Sequence, residues 1–378
     1  VDGRTERVED PGDSEAEARL VEPGTAARSV GWSALLRAAH DCLAQRDIDS
    51  ADRLHELAWH AAYDRQTQAA TMQQIGRRWW LSEDHDAAAM SFELARVLRR
   101  GFARPELLAS SQLALTRTRA ELGYDAVVLS GGAGRRFGYL PKPEQRLAGW
   151  PLADHVLLAV SGATSRLVVG PERRGLAEPT FCREQPPGGG PVAGIAAALD
   201  HLRQPLVAVL AADLPFIRTG LRRLRDALSG RADDPTTSDP AAFDAAAFVD
   251  TAGRVNYLAS MWRLPALQAA LRRIGNVENI PVRALFESVS TTWIPDFEAE
   301  AADVDTPNDL AAAELRATQV PQTPWLLEDW TQQERAQRKR SAPDEIRVGP
   351  QGHSQGHFQG SLPLTPLAWP GLELHAPS

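Results

Sequence analysis

The chain has 378 residues, 43% hydrophobic and 24% charged, with a formal net charge of −8, which is enough for two domains and a sizeable core. That acidity counts against a general nucleic-acid binder, which would show a basic stripe, but leaves room for a local basic pocket around a single nucleotide. Cys42 and Cys182 are the two cysteines; they stand far apart with no ligand partners at zinc spacing, so neither a disulfide framework nor a structural metal is expected.

In chain order, residues 1–30 are acidic and lack hydrophobic periodicity; they read as a flexible leader, unlike a signal peptide. No run of about 18 apolar residues follows, so no membrane span is expected and a cytoplasmic location is the simplest reading. Residues 31–122 form a helical domain by pattern. Within it, Asp47-Ile-Asp-Ser-Ala-Asp-Arg-Leu-His-Glu-Leu-Ala58 aligns with Asp84-His-Asp-Ala-Ala-Ala-Met-Ser-Phe-Glu-Leu-Ala95. Each copy opens on an Asp able to cap a helix and places Ala and Leu on one face. The second, with Gly76, Trp79, Ala88, Phe92 and Ala95, resembles a tetratricopeptide repeat, where small residues let helices approach closely. A helical bundle with a chance similarity fits the same residues. If the repeats are real, residues 32–122 are expected to dock a protein partner or to dimerise.

From Tyr124 the pattern changes to alternating strands and helices. Strands are predicted at 125–129, 166–169, 206–211, 246–249 and 291–294, and helices at 152–160, 192–202, 214–228, 258–274, 281–287 and 307–317. This alternation predicts an α/β domain at 123–318, a Rossmann-like, doubly wound and mostly parallel sheet, alongside the all-α N-terminal domain. Residues 233–244, rich in Pro, Thr, Ser and Asp, read as a surface loop. Residues 319–378 read as a mostly disordered tail in which His353 and His357 lack a completing ligand set.

The strongest chemical signal lies where the first strand meets a glycine-rich turn. Asp125-Ala-Val-Val-Leu129 runs into Ser130-Gly131-Gly132-Ala133-Gly134, followed by Arg135, Arg136 and Lys142. Glycines let backbone N–H groups close on an anion, and the basic residues supply charge for phosphate oxygens. The spacing is neither the dinucleotide fingerprint nor a Walker A loop. Downstream, Gly188-Gly-Gly-Pro-Val-Ala-Gly194 leads into a helix whose N-terminus favours anions. Asp213 then follows an apolar strand in Ala211-Ala-Asp-Leu-Pro215, where it can hold a metal or cap the next helix. Asp303-Val-Asp305-Thr-Pro307 precedes the last helix, and its acidic pair allows the same two roles.

Taken together, Leu129-Ser-Gly-Gly-Ala-Gly-Arg-Arg-Phe-Gly138, Pro141-Lys-Pro143 and these three elements resemble, over about 124–317, the nucleotidyltransferase superfamily that includes molybdenum-cofactor guanylyltransferases (MobA-like) and sugar-phosphate nucleotidyltransferases. The chain differs in having Pro141 where an Asp usually precedes the lysine, and Asp303 and Asp305 where Asn is usual. The resemblance implies a nucleotide-diphospho-sugar transferase type of fold. It also implies Mg2+-dependent transfer of a nucleoside monophosphate from a triphosphate, GTP by preference, to a phosphorylated pterin acceptor; cytidylyl transfer to molybdopterin, transfer to a sugar phosphate, and a non-catalytic interaction protein on a degenerate nucleotide-binding fold are the alternatives. Leu129, Ser130, Gly131, Gly132, Gly134, Gly190, Pro191 and Gly194 would bind the nucleotide, Arg135 and Lys142 would neutralise the triphosphate, and Asp213 with Asp305 would hold the metal.

Overall fold

The computed structural model describes residues 26–101, 104–131, 142–172, 178–229 and 243–319. Residues 1–25 of the predicted leader, the tail beyond 319 and almost all of the 233–244 loop lie outside them, whereas residues 26–30, expected to be flexible, are the first turns of a helix. Among the described residues two compact units divide the chain, one containing residues 26–67 and the other the described residues from 68 onward. The first unit contains α1 (Ala26–Ala44) packed against α2 (Ile48–Ala61), with Trp32, Leu36, Ala51 and Trp59 buried.

The second unit begins within α3 (Arg65–Leu81) and continues through α4 (His85–Arg99) and α5 (Pro105–Leu122). Both predicted capping aspartates take that role: Asp47 Oδ1 accepts from Ser50 N at 3.1 Å and Asp84 Oδ1 from Ala87 N at 3.0 Å. Pro105 opens α5, and Gly123, in the left-handed region at φ 61°, closes it. At Gly76 a Cβ would stand 2.5 Å from Phe92 Cε1, so the missing side chain is what lets the buried Phe92 ring lie against α3.

The remaining elements are β1 (Tyr124–Leu129), β2 (Arg146–Leu147), β3 (Trp150–Pro151), α6 (Leu152–Ala159), β4 (Arg166–Val169), β5 (Thr180–Cys182) and α7 (Pro191–Ala198). They continue with β6 (Leu206–Ala211), α8 (Ile217–Ser229), β7 (Ala245–Val249), β8 (Val255–Arg263), α9 (Leu264–Ile274), α10 (Arg283–Phe286), β9 (Thr291–Pro295) and α11 (Pro307–Gln319). Seven strands form one sheet in the order β5-β4-β1-β6-β8-β7-β9, while β2 and β3 make a separate hairpin. All neighbours in the sheet are parallel except β8, which runs antiparallel to both β6 and β7. The mostly parallel sheet is therefore as expected.

The interior of the sheet is aliphatic and buried on both faces. On one side Val127, Val169 and Val209 pack with Val192 and Ile195 of α7 and with Leu267 and Leu271 of α9. Elsewhere in the unit α4 packs against α6 and the tight turn at Val160–Gly162. At Gly162 a Cβ would stand 2.4 Å from Leu122 Cδ1 and 3.6 Å from Ala89 Cβ, so helices and turn meet at backbone distance.

Charge also joins α4 to the α/β elements. Asp86 accepts a two-pronged pair from Arg225 of α8 at 2.9 and 2.7 Å. Glu93, whose side chain is fully buried, accepts from Arg96 and stands 3.0 Å from Arg166 Nη1 on β4.

Two expectations need correction. The predicted helix at 258–274 is two elements, because Leu258–Arg263 belongs to β8 and only Leu264–Ile274 is helical. The helix predicted to start at 214 starts at Ile217. Asp213 is therefore not its N-cap.

Candidate functional site

Three parallel strands finish level with one another and define the site. Leu129 of β1 pairs with Val169 of β4 and with Ala211 of β6. Just past these ends, Ser130 N donates to Val169 O at 2.9 Å and Ala212 N donates to Leu129 O at 3.0 Å. Chain order moves from β1 to β4 on one side and to β6 on the other, so the crevice beyond β1 is the switch point at which open α/β sheets take ligands.

Leu129, Ser130 and Gly131 stand at this crevice, with Ser130 buried and Gly131 exposed. Gly132, Gly134 and Arg135, and with them Arg136, lie outside the described residues. The second glycine element is brought to the same place. Gly190, at φ 89°, turns the chain into α7, where Pro191 takes the start of the helix. A Cβ on Gly194 would lie 3.1 Å from Val169 Cγ1 and 3.2 Å from Leu129 Cδ2, so this glycine lets the N-terminal turn of α7 rest on the ends of β1 and β4. The helix N-terminus thereby lies beside the β1 turn, an arrangement suited to an anion.

The charged part of the site gathers Lys142, Asp213 and Asp305. Lys142 opens a short 3₁₀ turn at Lys142–Glu144, and its Nζ donates to Asp213 Oδ2 and Asp305 Oδ1. Residues 303–305 reach Asp213 because Val304 N donates to the Asp213 carbonyl at 3.1 Å. Beneath them Val304 is buried with Leu147, Leu152, Phe216 and Ala313, and Ala148 N donates to Glu314 Oε1 at 3.1 Å. The β2–β3 hairpin and α11 thus carry the lysine and the second aspartate to the end of β6. The other reading of the acidic pair falls away. Asp309 Oδ2 accepts from Asp305 N and from Thr306 N, so the start of α11 is capped by Asp309 and Thr306 rather than by Asp303 or Asp305.

Three carboxylates share this place with one ammonium, and their ionisation reflects it. Burial, then the charges of Asp305 and Asp213, raise the Asp303 carboxyl above its ordinary value. Burial would lower the Lys142 ammonium, but Asp213 and Asp305 outweigh it and its pKa is raised. Asp213 Oδ1 is buried and has no hydrogen-bond partner in the structure. A buried carboxylate oxygen with a lone pair to spare, beside a second carboxylate, fits a hard divalent ion. Among the described residues no group of three or more His, Cys, Asp or Glu stands at metal-binding spacing, so such an ion would draw its remaining ligands from water and substrate phosphates, the habit of Mg2+.

Several contributors carried no motif. Asn279 N donates to Gly189 O at 2.7 Å and holds the loop before α7 from a distant segment. Gly170, at φ 151°, lets the end of β4 pass close to Ser130, where a Cβ would stand 3.1 Å from the Ser130 carbonyl carbon. A glycine following an apolar strand was the available signal for Gly170; for Asn279 there was none.

Residues 126–289 match the family model for the MobA-like NTP transferase domain. Over these residues the chain is similar to that family. Molybdenum cofactor guanylyltransferases are among its relatives: that of Cupriavidus taiwanensis is 29% identical over 30% of this chain and 62% of its own length. That of Ralstonia nicotianae is 31% identical over 30% of this chain and 60% of its own. A probable one from Natronomonas pharaonis is 34% identical over 24% of this chain and 50% of its own. The chain therefore spans about half to three-fifths of the length of these relatives. Among solved structures, molybdopterin-guanine dinucleotide biosynthesis protein A from Archaeoglobus fulgidus is 24% identical, with a TM-score of 0.40, over 52% of this chain and 100% of that one. No helix among the described residues is long and apolar enough to cross a membrane.

Proposed function

We propose that the MobA-like domain is a Mg2+-dependent nucleotidyltransferase that moves GMP from GTP to a phosphorylated pterin acceptor, molybdopterin or its metal-loaded form, with release of pyrophosphate. The observation that carries this reading is the meeting of Lys142, Asp213 and Asp305 at the ends of β1 and β6, next to the Ser130 turn and the N-terminus of α7. The names of the relatives favour guanine and the pterin. A cytoplasmic location accords with such a reaction.

The reaction needs no protein nucleophile. The acceptor's terminal phosphate oxygen attacks the α-phosphorus, the bond to the bridging oxygen breaks, and pyrophosphate departs. Catalysis then rests on positioning and on charge stabilisation. Backbone N–H groups from Leu129 to Gly134 hold base and phosphates, and Gly190, Pro191 and Gly194 shape the nucleotide pocket. Lys142, with Arg135, neutralises negative charge that grows on the leaving diphosphate. Asp213 and Asp305 would hold Mg2+, which when bound supplies Lewis-acid charge at the phosphates. The carboxylates also orient the Lys142 ammonium, which stays protonated at neutral pH because both raise its pKa.

The test is pyrophosphate release measured with Mg2+ and GTP, CTP or UTP, with and without molybdopterin. Turnover confined to GTP plus the pterin is expected. Turnover with CTP alone would reassign the base, turnover when a sugar phosphate replaces molybdopterin in the same assay would reassign the acceptor, and absence of both nucleotide binding and turnover would overturn the enzyme reading.

A further inference from the structure

A second charged cluster lies at the opposite end of the sheet from the Lys142 site. It is centred on Arg166, the first residue of β4, whose last residue, Val169, borders the crevice described above. Four guanidinium groups converge here: Arg96 from α4, Arg100 just after it, Arg119 from α5, and Arg166. Among the described residues two carboxylates meet them, Glu93 and Glu178.

The existing bonds are unevenly shared. Arg96 takes Glu93 with two donors, Nε to Oε2 at 3.0 Å and Nη2 to Oε1 at 2.9 Å, and reaches Glu178 Oε2 through Nη1 at 3.3 Å. Arg100 Nη1 lies 2.9 Å from Glu178 Oε1. Arg166 Nη1 is 3.0 Å from Glu93 Oε1 but lacks the alignment of a hydrogen bond, and Arg119 Nη2 stands 3.8 Å from Glu93 Oε2. Three donors, Arg100 Nη2, Arg119 Nη2 and Arg166 Nη1, are thus buried without a hydrogen-bond acceptor. The Arg166 side chain is only 7% exposed, so water in bulk does not serve it.

Leaving buried charged donors without acceptors is costly, and two positive charges in excess repel one another. Burial, then Arg166, brings the Arg119 guanidinium down to about 10, and burial followed by Arg96 lowers that of Arg100. The shape of the deficit is informative. Two uncompensated charges and several forked N–H donors match one phosphate dianion, which offers acceptor oxygens in the geometry guanidinium forks prefer. Entry is from the side of Glu178, 61% exposed, and Arg100, 36% exposed.

We propose that Arg96, Arg100, Arg119 and Arg166 form a binding site for a phosphate group, separate from the nucleotide site and entered past Arg100 and Glu178. Glu178 occupies part of the site's donor set and competes with the anion, whereas Glu93 beneath it fixes the arginines in place.

Calorimetric titration of the full chain with inorganic phosphate at low ionic strength tests this, with chloride at matched ionic strength as control. Saturable binding of one phosphate is expected, weakened about ten-fold by Arg100→Gln, which removes one charge-assisted pair from a partly exposed position. Glu178→Gln is expected to tighten it several-fold, an effect in the direction opposite to general damage. Nucleotide binding should be unchanged in both variants. Pyrophosphate in a parallel titration distinguishes the source: tighter binding than phosphate, still sensitive to Arg100→Gln, marks the ligand as a diphosphate, and the reverse order marks it as a monophosphate. Equal phosphate affinity in wild type and Arg100→Gln, no saturable binding, or equal displacement by chloride would overturn the proposal and leave the arginines as a purely structural network.

Discussion

Replacing Glu93 by Gln tests how firmly helix α4 is fixed to the sheet. Burial by itself would push the Glu93 carboxyl upward; Arg166, Arg96 and Arg119 override it and hold the group at about 2 against an ordinary 4.5. Ionisation of this carboxylate therefore stabilises the folded state by about 3 kcal/mol at neutral pH. Glu93→Gln keeps the shape and removes the charge, leaving Arg119 and Arg166 without a carboxylate and Arg96 with Glu178 alone, so a loss on the order of 3 kcal/mol is expected at pH 7. The sign with pH follows from the depressed value. The contribution is complete above 4.5 and disappears as pH falls toward 2, so by pH 3 the gap between wild type and variant should shrink to less than half. Urea unfolding followed by tryptophan fluorescence at pH 7 and pH 3 measures both gaps. A variant as stable as wild type at pH 7, or a gap of unchanged size at pH 3, would refute the reasoning.

Other perturbations address the catalytic reading and the packing. Asp213→Asn and Lys142→Ala should each lower pyrophosphate release by about 100-fold or more, as removal of groups aimed at developing charge does, while the melting temperature changes little; wild-type turnover in either would remove that residue from the mechanism. Gly194→Val should weaken GTP binding, measured by fluorescence titration, because its side chain would drive α7 away from Leu129 and Val169. Unaltered affinity would mean that α7 does not need its close approach. Gly76→Ala should cost about 1–3 kcal/mol despite the better helix propensity of Ala, since its Cβ meets the buried Phe92 ring. Combining it with Phe92→Leu should recover part of the loss, and absence of any recovery would locate the strain elsewhere.

Much of this was legible in the residues. Strands β4 and β6 fall where their short apolar runs predicted, and Asp47 and Asp84 cap the helices they precede. The glycine elements at 129–131 and 190–194 meet because each motif marks a backbone approach that its own spacing encodes. Strand β8 escaped because Ala259–Trp262 is buried in the middle of the sheet, so that its one polar residue, Ser260, marks no exposed face, and because the stretch passes directly into α9. Pro265, at the start of α9, was the one mark of the boundary. Lys142 and Asp305 lie far apart in sequence, and their pairing depends on the β2–β3 hairpin resting on α11, a tertiary fact with no local pattern. The Glu93 cluster was invisible for the same reason: its arginines come from two helices and a strand, and only tertiary packing brings them to one carboxylate.

The contact between Gly162, Leu122 and Ala89 separates what is recognisable from what is self-sufficient. A fragment beginning at Gly123 would retain every residue of the matched domain, yet it would lose the helices that shelter Tyr124 and would strip Arg166 of Glu93 and Arg225 of Asp86. Excised catalytic fragments of this chain should therefore begin upstream of α4. The stretch that the family model matches is narrower than the body that has to fold around it.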